Sequence, residues 1–189
     1  YSLLELEVEA LELLGRSQLA AETIDAAVRS HPNYTELLMI QARFLERNGN
    51  PNGAIRVIEK ILVDLDTPSV DHLTFAAYTL ADHNQSIQEA ISLAWSALLR
   101  DPLNGFIVDT LGWAEFRSGD LEQSRITLLR ANRLSPREPE ILMHLAMVHL
   151  SLGQQDIANT YVEKGLECVP FSDPVRLQLE TLLENRGFY

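Results

Sequence analysis

The sequence has one cysteine and no uninterrupted apolar run of the roughly 18–20 residues that a membrane-spanning helix needs. A lone cysteine forms no internal disulfide, and beside five scattered histidines it cannot build a cysteine-rich zinc site. Positive charge is scarce too: 15 Lys+Arg face 27 Asp+Glu, a net charge of −12. That excess repels a phosphate backbone, whose binding is largely electrostatic, so nucleic acid is not an expected partner. Catalytic signatures are missing as well. No Gly-x-Ser-x-Gly elbow, phosphate-binding glycine loop or H-E-x-x-H pattern occurs. His144 and His149 are five apart and point in different directions on a helix. Neither an enzyme, nor a cofactor, nor a metal site is expected. Cys168, with no neighbouring His or Lys in sequence, reads as a buried structural thiol rather than a reactive one. What is present is apolar material, 46% of 189 residues, ample for a packed core.

That material recurs at a fixed period. Gly119, Gly153 and Gly187 are spaced by 34, as are Pro102, Pro136 and Pro170, and so are Gly15 and Gly49. Gly49 to Gly119 and Pro32 to Pro102 are each 70 apart, two periods plus two residues, so the middle repeat carries a two-residue insertion. With Tyr1 as position 1, position 20 is small throughout (Ala20, Ala54, Ala90, Ser124, Ala158), and position 8 mostly so (Val8, Ala42, Ala77, Gly112, Ala146). Helices approach closely only where side chains are small, and 34 residues hold two helices of about 12–14 residues with their turns. Each repeat therefore reads as a helical hairpin, with glycine near position 15 in the left-handed turn and proline at 32 ending the second helix. The boundaries follow as 1–34, 35–68, 69–104, 105–138 and 139–172, with a terminal helix, half repeat or cap, over 173–189. The third repeat has Asp82-His83-Asn84-Gln85 where the turn glycine belongs, and the second has Asp66 with Pro68 two residues on, which locates the insertion. Tyr1 already stands in helical register and the last repeat is half a unit, so a longer parent protein is expected.

Leu111, Gly112, Gly119, Ser124, Ala131 and Pro136 resemble the tetratricopeptide repeat (TPR), and the likeness covers essentially the whole chain. It implies an all-α fold, a right-handed superhelical solenoid of stacked antiparallel helix pairs. It also implies that positions 2, 5, 9, 12 and 13 of each first helix line a concave groove. Transferred to this sequence, those positions make the N-terminal end charged, with Glu5, Glu9, Arg43 and Arg47. The C-terminal end becomes aromatic and methionine-rich, with Tyr78, Phe106, Asp109, Trp113, Phe116, Arg117, Met143, Met147 and Leu150. Apolar groups on a surface that the fold need not bury mark an interaction site, and Trp, Tyr and Met are favoured there. The same stripe could instead pack as core against the next hairpin; groove lining is the expectation. The Lys/Asn clamp with which one subgroup of the family holds a peptide carboxylate is missing, since position 6 is Leu6, Ile40, Phe75, Thr110 and His144.

Tyr78-Thr79-Leu80-Ala81-Asp82, Asp109-Thr110-Leu111-Gly112-Trp113 and Glu140-Ile141-x-x-His144-Leu145 further resemble bacterial repeat proteins of the Gram-negative envelope, over residues 73–170. Ala77 departs from that group's glycine. Some of its members are outer-membrane lipoproteins that present substrates to a processing protease; others serve exopolysaccharide or pilus assembly. The expectation is a non-catalytic adaptor for a basic or amphipathic protein segment, periplasmic or outer-membrane-associated if this resemblance holds and cytoplasmic otherwise. The alternative is a scaffold that self-associates into a homo-oligomer.

Overall fold

The computed structural model describes residues 2–170 and 173–184, and among these it contains eleven helices and no strand. They pair in order: α1 (Ser2–Leu13) with α2 (Ser17–Ser30), α3 (Thr35–Arg47) with α4 (Pro51–Asp64), and α5 (Val70–Asp82) with α6 (Ile87–Arg100). Then come α7 (Gly105–Ser118) with α8 (Leu121–Leu134), α9 (Pro139–Ser151) with α10 (Gln155–Cys168), and finally α11 (Pro174–Glu184) against α9 and α10. Odd-numbered helices also touch one another, α5 to α7, α7 to α9 and α9 to α11, whereas successive even-numbered helices do not come comparably close. The odd helices are thus the inner layer of a stacked array, and the even helices the outer one. This is the expected α-solenoid of antiparallel helix pairs.

The small-residue positions make the stack tight. Ala20, Ala54, Ala90, Ser124 and Ala158 are all buried, and so are Val8, Ala42, Ala77, Gly112 and Ala146. Ser124 satisfies its hydroxyl by donating to the Gly112 carbonyl at 2.7 Å, so a polar group sits in the hairpin core without penalty. At Gly112 an added Cβ would stand 2.7 Å from Leu128 Cγ and 3.3 Å from the Leu128 backbone nitrogen. Leu128 is itself fully buried, so nothing there can yield cheaply. Gly112→Ala is expected to destabilise the chain by about 1–3 kcal/mol, the usual cost of overpacking, measured by urea denaturation.

Turn chemistry follows the periodicity. Gly15, Gly49, Gly119 and Gly153 all adopt positive φ, 70 to 89°, after the first helix of a pair. In the α5–α6 turn Asn84 takes that conformation instead (φ 53°), as a residue whose short polar side chain tolerates the left-handed region can. The two extra residues are divided. One lies in the α4–α5 connection, residues 65–69 against 31–34 and 101–104 elsewhere; the other lies in the α5–α6 turn, residues 83–86 against 48–50 and 152–154. Basic residues fasten the connections between pairs: Lys60 donates to the Pro32 carbonyl at 3.0 Å, Arg130 to that of Pro102 at 2.7 Å, and Arg100 to that of Pro68. Arg130, on outer helix α8, thus ties two neighbouring pairs together. Gly187, where the turn after the sixth first-helix is expected, lies outside the described residues, as do 171 and 172 at the expected boundary.

Candidate functional site

The inner helices carry the residues singled out in sequence, but they divide into two groups. Asp109, Trp113 and Met143 are buried, at 4%, 3% and 7% exposure, and do not face a groove. The expectation of groove lining is corrected for these three. The inner helices pack closely enough that positions 5 and 9 of α7 fall in the seams toward α5 and α9 rather than on open surface. Trp113 joins Ile55, Leu80, Ala81, Ala90 and Ala114 in one core cluster, and Met143 packs with Ala146, Val162, Val169 and Leu179 in another.

The seam holds a polar network that sequence reasoning missed. His144 Nδ1 lies 3.0 Å from both carboxylate oxygens of Asp109, so that nitrogen carries the proton and donates to them. The Trp113 ring stacks on the His144 ring with centroids 4.4 Å apart and on Phe116 at 5.1 Å, and the Arg117 guanidinium lies 5.4 Å from its centroid. Tyr78, half-buried, donates to Glu140 Oε1 at 2.8 Å, tying α5 to α9 across α7. Burial, the largest influence, pulls the His144 pKa down. The Asp109 charge, its hydrogen bond, and the charges of Glu140 and Asp82 outweigh it, and the net direction is upward from 6.5. Burial and then Glu140 hold the Tyr78 phenol well above its ordinary range. Trp113 Nε1 and His144 Nε2 are buried without hydrogen-bond partners among the described residues. A signal for the pair existed: aspartate at position 5 of one repeat and histidine at position 6 of the next, 35 residues on.

Phe116, Met147 and Leu150 form the second group. With Ser151, Gly153, Gln155 and Leu182 they line a cleft of about 580 Å³, predominantly apolar, bounded by α7, α9, the turn into α10, and α11. Leu182, from the terminal helix, was not foreseen. Phe106 is half-exposed at the start of α7 and does not line this cleft. Arg117, partly exposed, lies over the Trp113 ring and does not line this cleft either.

At the N-terminal end the charged residues are brought together, largely on each other. Arg43 pairs with Glu5 at 3.0 Å and Arg47 with Glu12 at 2.6 Å, each across successive hairpins. Such exposed pairs contribute little stability, about 0–1 kcal/mol, but they leave fewer unpaired charges for a partner. Glu9 is exposed and lines a shallow cleft with Glu12, Leu13 and Arg47. Glu46, Asp82 and His83 also converge near this end, a grouping no sequence motif announced. Cys168, expected to be buried, is partly exposed because it is the last residue of α10.

Against known proteins, the tetratricopeptide-repeat family model matches residues 7–70. The chain is similar to tetratricopeptide-repeat proteins over that segment. A TPR repeat-containing protein of Pseudomonas aeruginosa is 25% identical over 166 residues, covering 87% of this chain and 28% of the relative. The chain thus spans little more than a quarter of that protein's length. Among solved structures, a thermophilic TPR protein of Thermus thermophilus superposes with a TM-score of 0.77 at 21% identity, over 97% of this chain and 98% of the other. PilW, described as a widely conserved type IV pilus biogenesis factor, gives 0.75 at 16% identity, over 98% and 86%. These likenesses establish the fold, an α-solenoid of the tetratricopeptide-repeat kind.

Proposed function

We propose that this TPR array is a non-catalytic adaptor that seats an apolar side chain of a partner protein segment in the cleft of Phe116, Met147, Leu150 and Leu182. One observation carries the reading: partly exposed, predominantly apolar side chains from three inner helices converge on a concavity of about 580 Å³, a volume within the range of roughly 300–1,000 Å³ typical of ligand sites. The net charge of −12 favours basic residues flanking that anchor. Five repeats with boundaries at 34, 68, 104, 138 and 172 supply the scaffold. The setting we favour is the Gram-negative envelope, on the resemblance of residues 73–170 and on PilW being a pilus factor.

Leu150 is the residue to truncate, since it lines the cleft without belonging to any of the core clusters. Leu150→Ala is expected to weaken binding of a captured segment by about 2 kcal/mol, roughly thirtyfold, with helical circular dichroism unchanged. Leu99→Ala, at an 81% exposed site on outer helix α6, is expected to leave binding as it is. Equal affinity in both variants would remove the cleft from the site.

A second reading, a self-associating scaffold, draws on α1, where Leu3, Leu6 and Leu13 are 60–90% exposed. Sedimentation across a concentration series separates the readings: a monomer at high concentration argues against assembly.

A further inference from the structure

The α5–α6 turn departs from the other turns within the pairs: it lacks the glycine, is longer than any of them, and has Asp82 closing α5 with His83 directly after it. That departure brings together side chains of ligand type from two hairpins. Glu46, in the last turn of α3, places Oε1 2.6 Å from His83 Nε2. One ligand atom from each of Glu46, Asp82 and His83 lies within 4.8 Å of the other two. Glu46 Oε2 is buried with no hydrogen-bond partner among the described residues, and the side chain as a whole is only 19% exposed. Asp82 has no hydrogen-bond or ion-pair partner among the described residues, and Arg47, next to Glu46, is already held by Glu12. Two carboxylates therefore meet beside one imidazole, and among the described residues no lysine or arginine pairs with either.

We propose that Glu46, Asp82 and His83 form a binding site for a divalent cation of the zinc class. An imidazole nitrogen and two carboxylate oxygens are zinc donors at about 2.0–2.2 Å, and water completes a tetrahedron. Bonds of that length set donor atoms about 3.3–3.6 Å apart. The three side chains reach that spacing by closing around the ion, which takes the place of the hydrogen between His83 and Glu46. Magnesium and calcium require six or more oxygen ligands, so a nitrogen-containing, three-residue set selects against them. The site also has a mechanical consequence. In stacked repeats, stability is a sum of repeat and neighbour-interface contributions. The α4–α5 seam between the second and third pairs is less extensive than the α6–α7 seam between the third and fourth. A cation held by α3 on one side and the α5–α6 turn on the other clamps that thinner seam.

The test is calorimetric titration of the whole chain with zinc chloride, paired with thermal unfolding and with magnesium chloride as the comparison. One equivalent of zinc is expected to bind and to raise the unfolding midpoint, while magnesium does neither. His83→Gln and Glu46→Gln are each expected to weaken zinc binding at least tenfold, and His31→Gln, at an exposed site elsewhere, to leave it unchanged. Absence of a zinc response, an equal response to magnesium, or a response that survives both site variants would overturn the proposal. Should the variants fold poorly, imidazole resonances of the unaltered chain decide: zinc must move the His83 signal, and movement of another histidine alone, or of none, overturns it.

Discussion

Trp113→Ala is expected to destabilise the fold by about 3–5 kcal/mol, the range for truncating a buried aromatic. The indole is 3% exposed, packs among Ile55, Leu80, Ala81, Ala90 and Ala114, and stacks on His144 and Phe116. The resulting void would open where α5, α7 and α9 meet, and the loss is a large fraction of the roughly 5–15 kcal/mol that holds an ordinary domain together. Urea denaturation followed by helical circular dichroism measures it. Trp113→Phe is expected to cost far less, because it keeps a stacking ring and removes an indole N–H that has no partner among the described residues. Phe106→Ala, at a half-exposed position on the same helix, is expected to change stability by about 0.5–1 kcal/mol at most. A Trp113→Ala protein of native stability that failed only in binding would place the indole on the groove surface after all.

Asp109→Asn is expected to cost about 3–5 kcal/mol near pH 6, because it leaves His144 buried without the charge that compensates it. His144 is 1% exposed, so solvent does not screen the pair. Its pKa in the fold lies above 6.5, since Asp109, with Glu140 and Asp82 farther off, outweighs the effect of burial. A group whose pKa is raised by folding contributes stability that is complete below its unfolded value and is lost as pH rises through the folded value. The gap between the native chain and Asp109→Asn should therefore be widest below about pH 6.5 and narrow as His144 loses its proton above that. Tyr78 stays a phenol throughout this window and keeps its bond to Glu140, so it does not contribute to the slope. Urea denaturation at a series of pH values reads the gap; a gap independent of pH would mean that His144 is neutral in the fold.

Turn positions and hairpin cores were legible in the sequence because each is local. A glycine near position 15 needs positive φ, and a small residue at positions 8 and 20 needs only its own partner helix. Even the insertion could be located, since Asn84 in the place of a glycine and Pro68 out of register both act where they stand. What the sequence did not show was how tightly the inner helices pack. Whether Trp113 faces a groove or a seam depends on the residue one repeat away, and His144 fills that seam while pairing with Asp109. The same distance effect pairs Glu5 with Arg43 and Glu12 with Arg47, turning an apparently charged docking end into one that neutralises much of itself. Leu182 could not be joined to Phe116 and Leu150 from spacing alone, because three inner helices have to stack before the cleft exists.

The burial of Trp113 also moves the best position for a probe from the middle of α7 to the cleft on α9. A photoreactive residue at Leu150, with its crosslinks mapped by mass spectrometry, is the most direct measurement. The adaptor reading requires adducts to a defined basic or amphipathic segment of another protein, with an apolar residue at the crosslinked point and no such adduct from a probe at Leu99. Adducts only to other copies of this chain, or the same products from both positions, would contradict it.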